Sequence, residues 1–401
     1  MSARTVPFFT ALTVDALGTG MFVPLSLLYF ARVPKIDLAT VGVLLSVAAA
    51  LSLPVPVLVG HLVDRFGPKP VVVAAHFVQA AAFAGYLAVT GPVALLLTAV
   101  VATAGQRAFW SSVFALVADL AEQSGGGRRP ERWFALVGMA QTAGLGAGGL
   151  LSGLLLAIGT ETVFRLMAIG NAVTFLLAGL LVLLVRVAHE RPAERAVGGY
   201  RVLLADRPYL GLIGVNTIFA MCAMFFGLAL PVYLVDGLSA PAWLVGPLLG
   251  ANTILLALGQ TTAVRVLRPM LRTRVMVLAG VLWAVWAAAC ALAPALPLSA
   301  LVPYLVVVTL CFTVAELVHA PVSMTLASEA APADLRGRYL AVFQYSFAFA
   351  TVIAPGFFSV LFTMGTPLPF AGLAVLALLG AAAMLVLERR LPRTALVSSP
   401  G

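Results

Sequence analysis

From position 6 to position 388 the sequence is a succession of apolar segments parted by short polar joints. Each is close to the 20 or so residues that a helix rising about 1.5 Å per residue needs to cross a hydrocarbon core about 30 Å thick. Only 10% of the 401 residues are charged and 62% are hydrophobic, where a soluble domain carries about 25% charged residues. Too few charges remain to clothe a globular surface. The chain reads as an all-α integral membrane protein.

Twelve spans are expected, at 6–30, 38–61, 70–90, 93–120, 132–158, 163–187, 208–234, 242–265, 273–293, 298–325, 338–363 and 369–388. Gly- and Pro-bearing joints separate them, as in "TGP", "LSAPAW" and "GTPLP". The first apolar run is too long for a signal-peptide core and reads as the first span. Twenty of the 24 basic residues fall on the side that holds the N-terminus; Arg32, Lys35 and Arg165 fall on the other, and Arg107 on neither. By the positive-inside rule both termini are then cytoplasmic. The net charge of +9 is loop charge that sets orientation, not a nucleic-acid footprint. Cys222, Cys290 and Cys311 lie apart within apolar segments, so no metal site or disulfide framework is indicated.

The longest joint divides the chain into an N-terminal six-helix bundle (1–188), a cytoplasmic central loop (189–207) and a C-terminal six-helix bundle (208–401). An internal repeat runs across that division. Arg132-Trp133-Phe134-Ala135 matches Arg338-Tyr339-Leu340-Ala341, and Gly159-Thr160 matches Gly365-Thr366, both at an offset of 206. Upstream the extra "SGGG" changes the offset to 210, which places Asp119 on Glu329 and Gln106 on Glu316. Two parallel six-helix repeats are an architecture in which cargo binds near the midplane between the halves.

Between the second and third spans stands "GHLVDRFGPKP". Gly60, Leu62, Asp64, Arg65, Gly67 and Lys69 fall on the loop signature of the major facilitator superfamily, and the chain resembles that family through its six-plus-six layout as well. Pro68 departs from the signature, standing where a basic residue is usual. In physical terms Gly67 supplies a turn with positive φ, Gly60 permits close helix approach, and Asp64 suits a helix N-terminus. The resemblance implies that Asp64 and Arg65 hold a cytoplasmic gate, completed by Asp119 and Arg132 and mirrored by Glu329 and Arg338. The segment from Ala315 to Tyr339 is similar to the drug/proton antiporter branch of that family. That branch carries Gly-Pro in the fifth span, where this chain has Gly144, Gly146, Gly148, Gly149 and Gly153 without a proline.

Three charged residues lie deep within spans: Asp15, Arg107 and Glu316. Intramembrane charges mark pathways and pair with one another. The repeat sets Arg107 and Glu316 one position apart on equivalent helices, which suggests a pair contributed by both halves. Arg107 keeps its proton, but a carboxyl can gain or lose one, so Glu316 first and Asp15 second are the candidates for proton coupling or substrate. The alternative is a static buried ion pair. Weaker candidates for the cavity are Gln106, Gln141, Asn216, Asn252 and Gln344, each equally suited to an interhelical hydrogen bond. The aromatics Phe109, Trp110, Tyr233, Phe343 and Tyr345 join them. His319, three residues after Glu316, is expected on the same face; His76 is a lesser candidate, and His61 is expected to be solvated.

No nucleotide, metal or nucleophile motif is present, so a membrane enzyme is disfavoured and no cofactor is expected. An ion gradient, by default of protons, would supply the energy. The reading is a secondary active transporter of the bacterial plasma membrane, acting as a monomer on a small-molecule substrate, with protons and the lipid bilayer as its other partners and no nucleic acid. Specifically, it reads as a proton-coupled multidrug antiporter working by alternating access. The alternative is a uniporter or symporter for a sugar or organic anion, with Arg107 gripping the anion bidentately.

Overall fold

The computed structural model describes residues 6–123, 130–187, 200–332 and 335–396, and among these the chain is helical with no strand. It divides into two compact units, Met1–Arg195 with Pro241–Gly250, and Ala196–Ala240 with Ala251–Gly401. The short stretch Pro241–Gly250, expected in the second half, groups with the first. Its Gly246 stands so close to Gly153 that a Cβ on Gly153 would lie 2.1 Å from the Gly246 backbone.

In the N-terminal unit, α1 (Val6–Phe22) passes through a tight turn at Val23–Leu25 into α2 (Ser26–Arg32). There follow α3 (Leu38–Leu51), α4 (Val55–Phe66), α5 (Pro68–Tyr86), α6 (Pro92–Gln123), α7 (Pro130–Ile158) and α8 (Glu161–Leu184). The starts are readable in chemical terms. Asp37 caps α3 by accepting from Thr40 N, and Thr160 caps α8 by accepting from Val163 N. Gly67, at φ 83°, closes α4 and turns the chain into α5, whose first residue is Pro68. Proline is favoured at that first position because its missing N–H would have had no partner there. The departure from the loop signature is therefore a good helix start.

The C-terminal unit begins with α9 (Tyr200–Ala205) and α10 (Arg207–Val232), the latter capped by Asp206 and widened at its end into a π-turn, Tyr233–Gly237. Then come α11 (Val245–Leu267), α12 (Arg272–Leu292), α13 (Leu298–Ala330), α14 (Arg336–Phe343), α15 (Tyr345–Met364), α16 (Leu368–Glu388) and α17 (Arg393–Leu396).

Among the described residues ten helical spans are long and apolar enough to cross a membrane, and an eleventh is α3 with α4 taken together. The protein is a multi-pass membrane protein. One expectation is corrected. The second span, read as one helix over 38–61, is broken after Leu51 and bends by 40° before α4. The cause is Ser52-Leu53-Pro54 followed by Pro56: a proline inside a helix removes one hydrogen bond and clashes with the preceding turn. The third span, α5, is 19 residues long, but Lys69, His76 and Gln79 make it less apolar than the rest.

The two units repeat one packing scheme. In the first, α1 packs on α7 and α8, and α5 on α6 and α8; in the second, α10 packs on α15 and α16, and α12 on α13 and α16. This is the correspondence that the sequence offsets imply. The α1–α7 contact is extensive and close. A Cβ on Gly144 would lie 2.4 Å from Thr13 O, and one on Gly148 would lie 2.2 Å from Leu17 O. In lipid, close backbone approach replaces the hydrophobic drive, so such small residues carry helix association. Gly148→Val should therefore destabilise the protein by about 1–3 kcal/mol, the usual cost of overpacking. Gly138→Ala, where nothing lies within 4 Å, should leave the thermal midpoint in detergent unchanged; equal midpoints for both variants would contradict the packing argument.

Candidate functional site

The charged residues at membrane depth have identifiable partners within their own units. Arg107, half-buried on α6, reaches across to the break between α3 and α4. Its Nε donates to Ser52 Oγ at 2.7 Å and its Nη2 to Ala49 O at 3.3 Å, while Ser52 Oγ itself donates to Ala49 O at 2.8 Å. Thr103, one turn earlier on α6, donates to Ala48 O at 3.3 Å. The last carbonyls of α3 are thus satisfied from α6, and the guanidinium sits at the negative end of that helix. An arginine at bilayer depth costs about 2.5–3.5 kcal/mol on insertion scales. Two charge-assisted hydrogen bonds at roughly 1.5 kcal/mol or more each are enough to offset it.

Asp15, buried on α1, lies with its Oδ1 3.9 Å from Nε2 of the fully buried His76 on α5. His76 is held by a 2.9 Å contact from Nδ1 to Val72 O and by the rings of Phe109 and Phe175.

In the C-terminal unit Glu316 is half-buried on α13. Asn252 Nδ2, on α11, donates to its Oε2 at 3.3 Å, and Thr313 Oγ1 donates to Asn252 Oδ1 at 2.7 Å. His319 Nε2 meets Asn216 Oδ1 at 3.0 Å, and Asn216 Nδ2 donates to Ser346 Oγ at 2.7 Å, joining α13, α10 and α15. Because an amide oxygen only accepts, His319 carries its proton on Nε2. His319 does not share a direction with Glu316 as expected. Three residues turn a helix by about 300°, and that 60° difference sends Glu316 to α11 and His319 to α10.

The remaining candidates separate by burial. Asn216 and Asn252 spend both ends of their amides on neighbouring helices. Phe109 is core, packed on His76. Tyr233 is buried, its hydroxyl donating to Cys290 O, and it borders an apolar cavity of about 10 Å³ with Phe226, Trp286 and Phe370. That space holds roughly one water, not a cargo molecule. Gln106, Trp110 and Gln344 are exposed and Gln141 half-buried; Gln344 Nε2 points at Met324 Sδ, 3.8 Å away.

In the gate loop, Gly67 has the expected positive φ. Gly60 does not serve close approach, since it is half-buried and nothing lies within 4 Å of a Cβ built there. Leu62 and Arg65 are exposed, with the Arg65 guanidinium over the Phe66 ring. Lys69 Nζ donates to Leu183 O at 2.9 Å, at the C-terminal end of α8, where a cation is favoured. His61 is exposed, as expected. Asp119 and Glu329 are half-buried in the last turns of α6 and α13. The side chains of Asp64, Arg132 and Arg338 lie outside the described residues. Sequence reasoning missed Ser52, Thr313 and Ser346, the hydroxyls that engage Arg107, Asn252 and Asn216. Only Ser52 carried a signal, its place two residues before Pro54.

Two sets of membrane-spanning helices with one packing scheme, one holding the buried Asp15 and the other the half-buried Glu316, define a polytopic membrane protein. The family model of the Major Facilitator Superfamily matches residues 8–315, and the chain belongs to that family. It is a secondary transporter. Over 167 residues it is 32% identical to the tetracycline resistance protein, class G, of Vibrio anguillarum, a match spanning 41% of each chain. Among solved structures it resembles a mutant of the nucleoside transporter NupG, with TM-score 0.78 and 13% identity over 96% of this chain and 98% of that one. It also resembles the peptide transporter POT in complex with sulfate, with TM-score 0.76 and 18% identity over 98% of this chain and 96% of that one. At these identities the two structures speak for the fold alone.

A double-mutant cycle tests the Arg107 anchor. Ser52→Ala and Arg107→Gln should each lower stability, with a coupling energy of about 0.6–2 kcal/mol, the span measured for hydrogen bonds in membrane proteins. Additive effects in detergent unfolding would show that the bond contributes nothing.

Proposed function

We propose that the protein is a proton-coupled antiporter of the bacterial plasma membrane, both termini cytoplasmic, that exports amphipathic drug-like molecules by alternating access. The observation that carries this reading is Glu316. It is a membrane-depth carboxyl, and its one hydrogen bond among the described residues is a long one from the neutral amide of Asn252. No cation of its own unit pairs with it among the described residues. A carboxyl placed so can take up and release a proton, or meet a cationic cargo, without dismantling a salt bridge. A permanently paired one would resist both. Asp15 offers a second such group in the other unit. The partial likeness to a tetracycline resistance protein supports a drug-like cargo, and the abundance of apolar helix surface suits it.

Glu316→Gln keeps the size and the hydrogen-bonding capacity of the site but removes its titration. In vesicles with an imposed pH gradient, the variant should lose at least tenfold in concentrative transport of dyes and antibiotics while remaining folded. Undiminished gradient-driven transport would overturn the role of Glu316. Gradient-driven movement of sugars or organic anions, with no response to dyes or antibiotics, would overturn the drug-like cargo and favour a symporter instead.

A further inference from the structure

The contact between Asp15 and His76 has a chemistry of its own. His76 Nδ1 lies 2.9 Å from Val72 O, and a carbonyl oxygen only accepts, so Nδ1 carries a hydrogen. In the neutral ring Nε2 is then a bare lone pair. It is fully buried, has no hydrogen-bond partner, and faces Asp15 Oδ1 at 3.9 Å. A lone pair set against a carboxylate in a dry interior is repulsive on one side and unsatisfied on both. Burying either group without a partner costs free energy.

One proton removes the conflict. On the carboxyl it makes an O–H donor aimed at Nε2; on the ring it makes an N–H donor aimed at the carboxylate. A bridging water fits less well. Two hydrogen bonds of about 2.8 Å meeting near the tetrahedral angle at one water hold their far ends about 4.5 Å apart. The observed gap is shorter than that and longer than a direct bond. The His76 ring is fixed by Val72 and by Phe109 and Phe175, so the Asp15 side chain is the part that closes the gap, by a rotation about its own bonds.

A second buried orphan stands nearby. Asn171 Nδ2 on α8 has no partner, and the Asn171 side chain lies against Gly18, one turn beyond Asp15 on α1. The charged and titratable groups on the surrounding elements are engaged elsewhere or far along their helices. On α6, Arg107 turns to α3, and Asp119 and Glu122 stand in the last two turns. On α8, Glu161 and Arg165 pair in the first turn. On α7, Glu131 and Arg132 stand in the first turn. On α4, His61, Asp64 and Arg65 lie in the last two turns. On α5 itself, Lys69 bonds to α8 and Tyr86 stands three turns away.

We propose that Asp15 and His76 form a one-proton site within the N-terminal unit, the proton being held between the Asp15 carboxyl and His76 Nε2. Loading takes one proton from water and unloading returns it; no other reactant is needed. Occupied, the site draws α1 to α5; empty, it leaves an anion against a lone pair and pushes them apart. Its place in transport rests on the proton-coupled reading above, but its existence does not.

The test uses the intact protein in nanodiscs. Histidine ¹⁵N resonances and the carboxylic-acid C=O infrared band are followed against pH, assigned through His76→Gln and Asp15→Asn. The wild-type protein should show the Asp15 band and the His76 ring shift changing together with one midpoint, and His76→Gln should hold the Asp15 proton at least tenfold less tightly. Independent midpoints in the wild-type protein, or an Asp15 band unmoved by His76→Gln, would overturn the site. The wild-type coincidence decides the matter even where a variant fails to fold. Gradient-driven transport unchanged in both Asp15→Asn and Glu316→Gln, with the shared titration present, would overturn proton coupling and leave the site standing.

Discussion

Inside a bilayer no water is available to any polar group, and this requirement organises the whole molecule. A helix that breaks at mid-depth strands the carbonyls of its last turn. The break between α3 and α4 is tolerable because α6 supplies Thr103 and Arg107 at the same depth, and because Ser52 folds back on Ala49. Either partner would be costly alone. An unpaired guanidinium and a set of unpaired carbonyls each favour a different structure, and together they fix how α3 meets α6.

The same rule shapes the C-terminal unit with neutral groups. Asn216 links His319 to Ser346, and Asn252 links Thr313 to Glu316, so four helices are tied through two amides. Each amide uses its oxygen and its nitrogen. Such saturation leaves the asparagines little to offer a passing molecule. It also orients Glu316 from one side only.

The gross fold was legible in the sequence because lipid imposes a length on every span, and apolar runs report that length directly. The six-plus-six repeat could be seen because loop residues such as Arg132 and Arg338 sit at helix starts, where position matters more than packing. Gly67 was legible for a local reason, its backbone angle. The break at Ser52 was not, since the apolar run continues through it, and the penalty of Pro54 depends on whether a neighbour can satisfy the freed carbonyls. Gly60 misled for a related reason: glycine permits close approach without requiring it. The divergence of Glu316 and His319 followed from which neighbouring helix held an amide at the right height, and that is a property of tertiary packing. His76 ranked as a lesser candidate because its significance lies in the carboxyl opposite, 61 positions away in the chain.

The two membrane-depth acids share a design that the basic group lacks. Arg107 is bound by charge-assisted bonds to a serine hydroxyl and a backbone carbonyl, neither of which changes charge. Asp15 and Glu316 each face one neutral partner at a distance longer than a good hydrogen bond, 3.9 Å from an imidazole and 3.3 Å from an amide. A group held this loosely exchanges a proton at small structural cost, whereas one locked in a salt bridge must first break it. The molecule therefore keeps its fixed charge for architecture and its titratable groups for change.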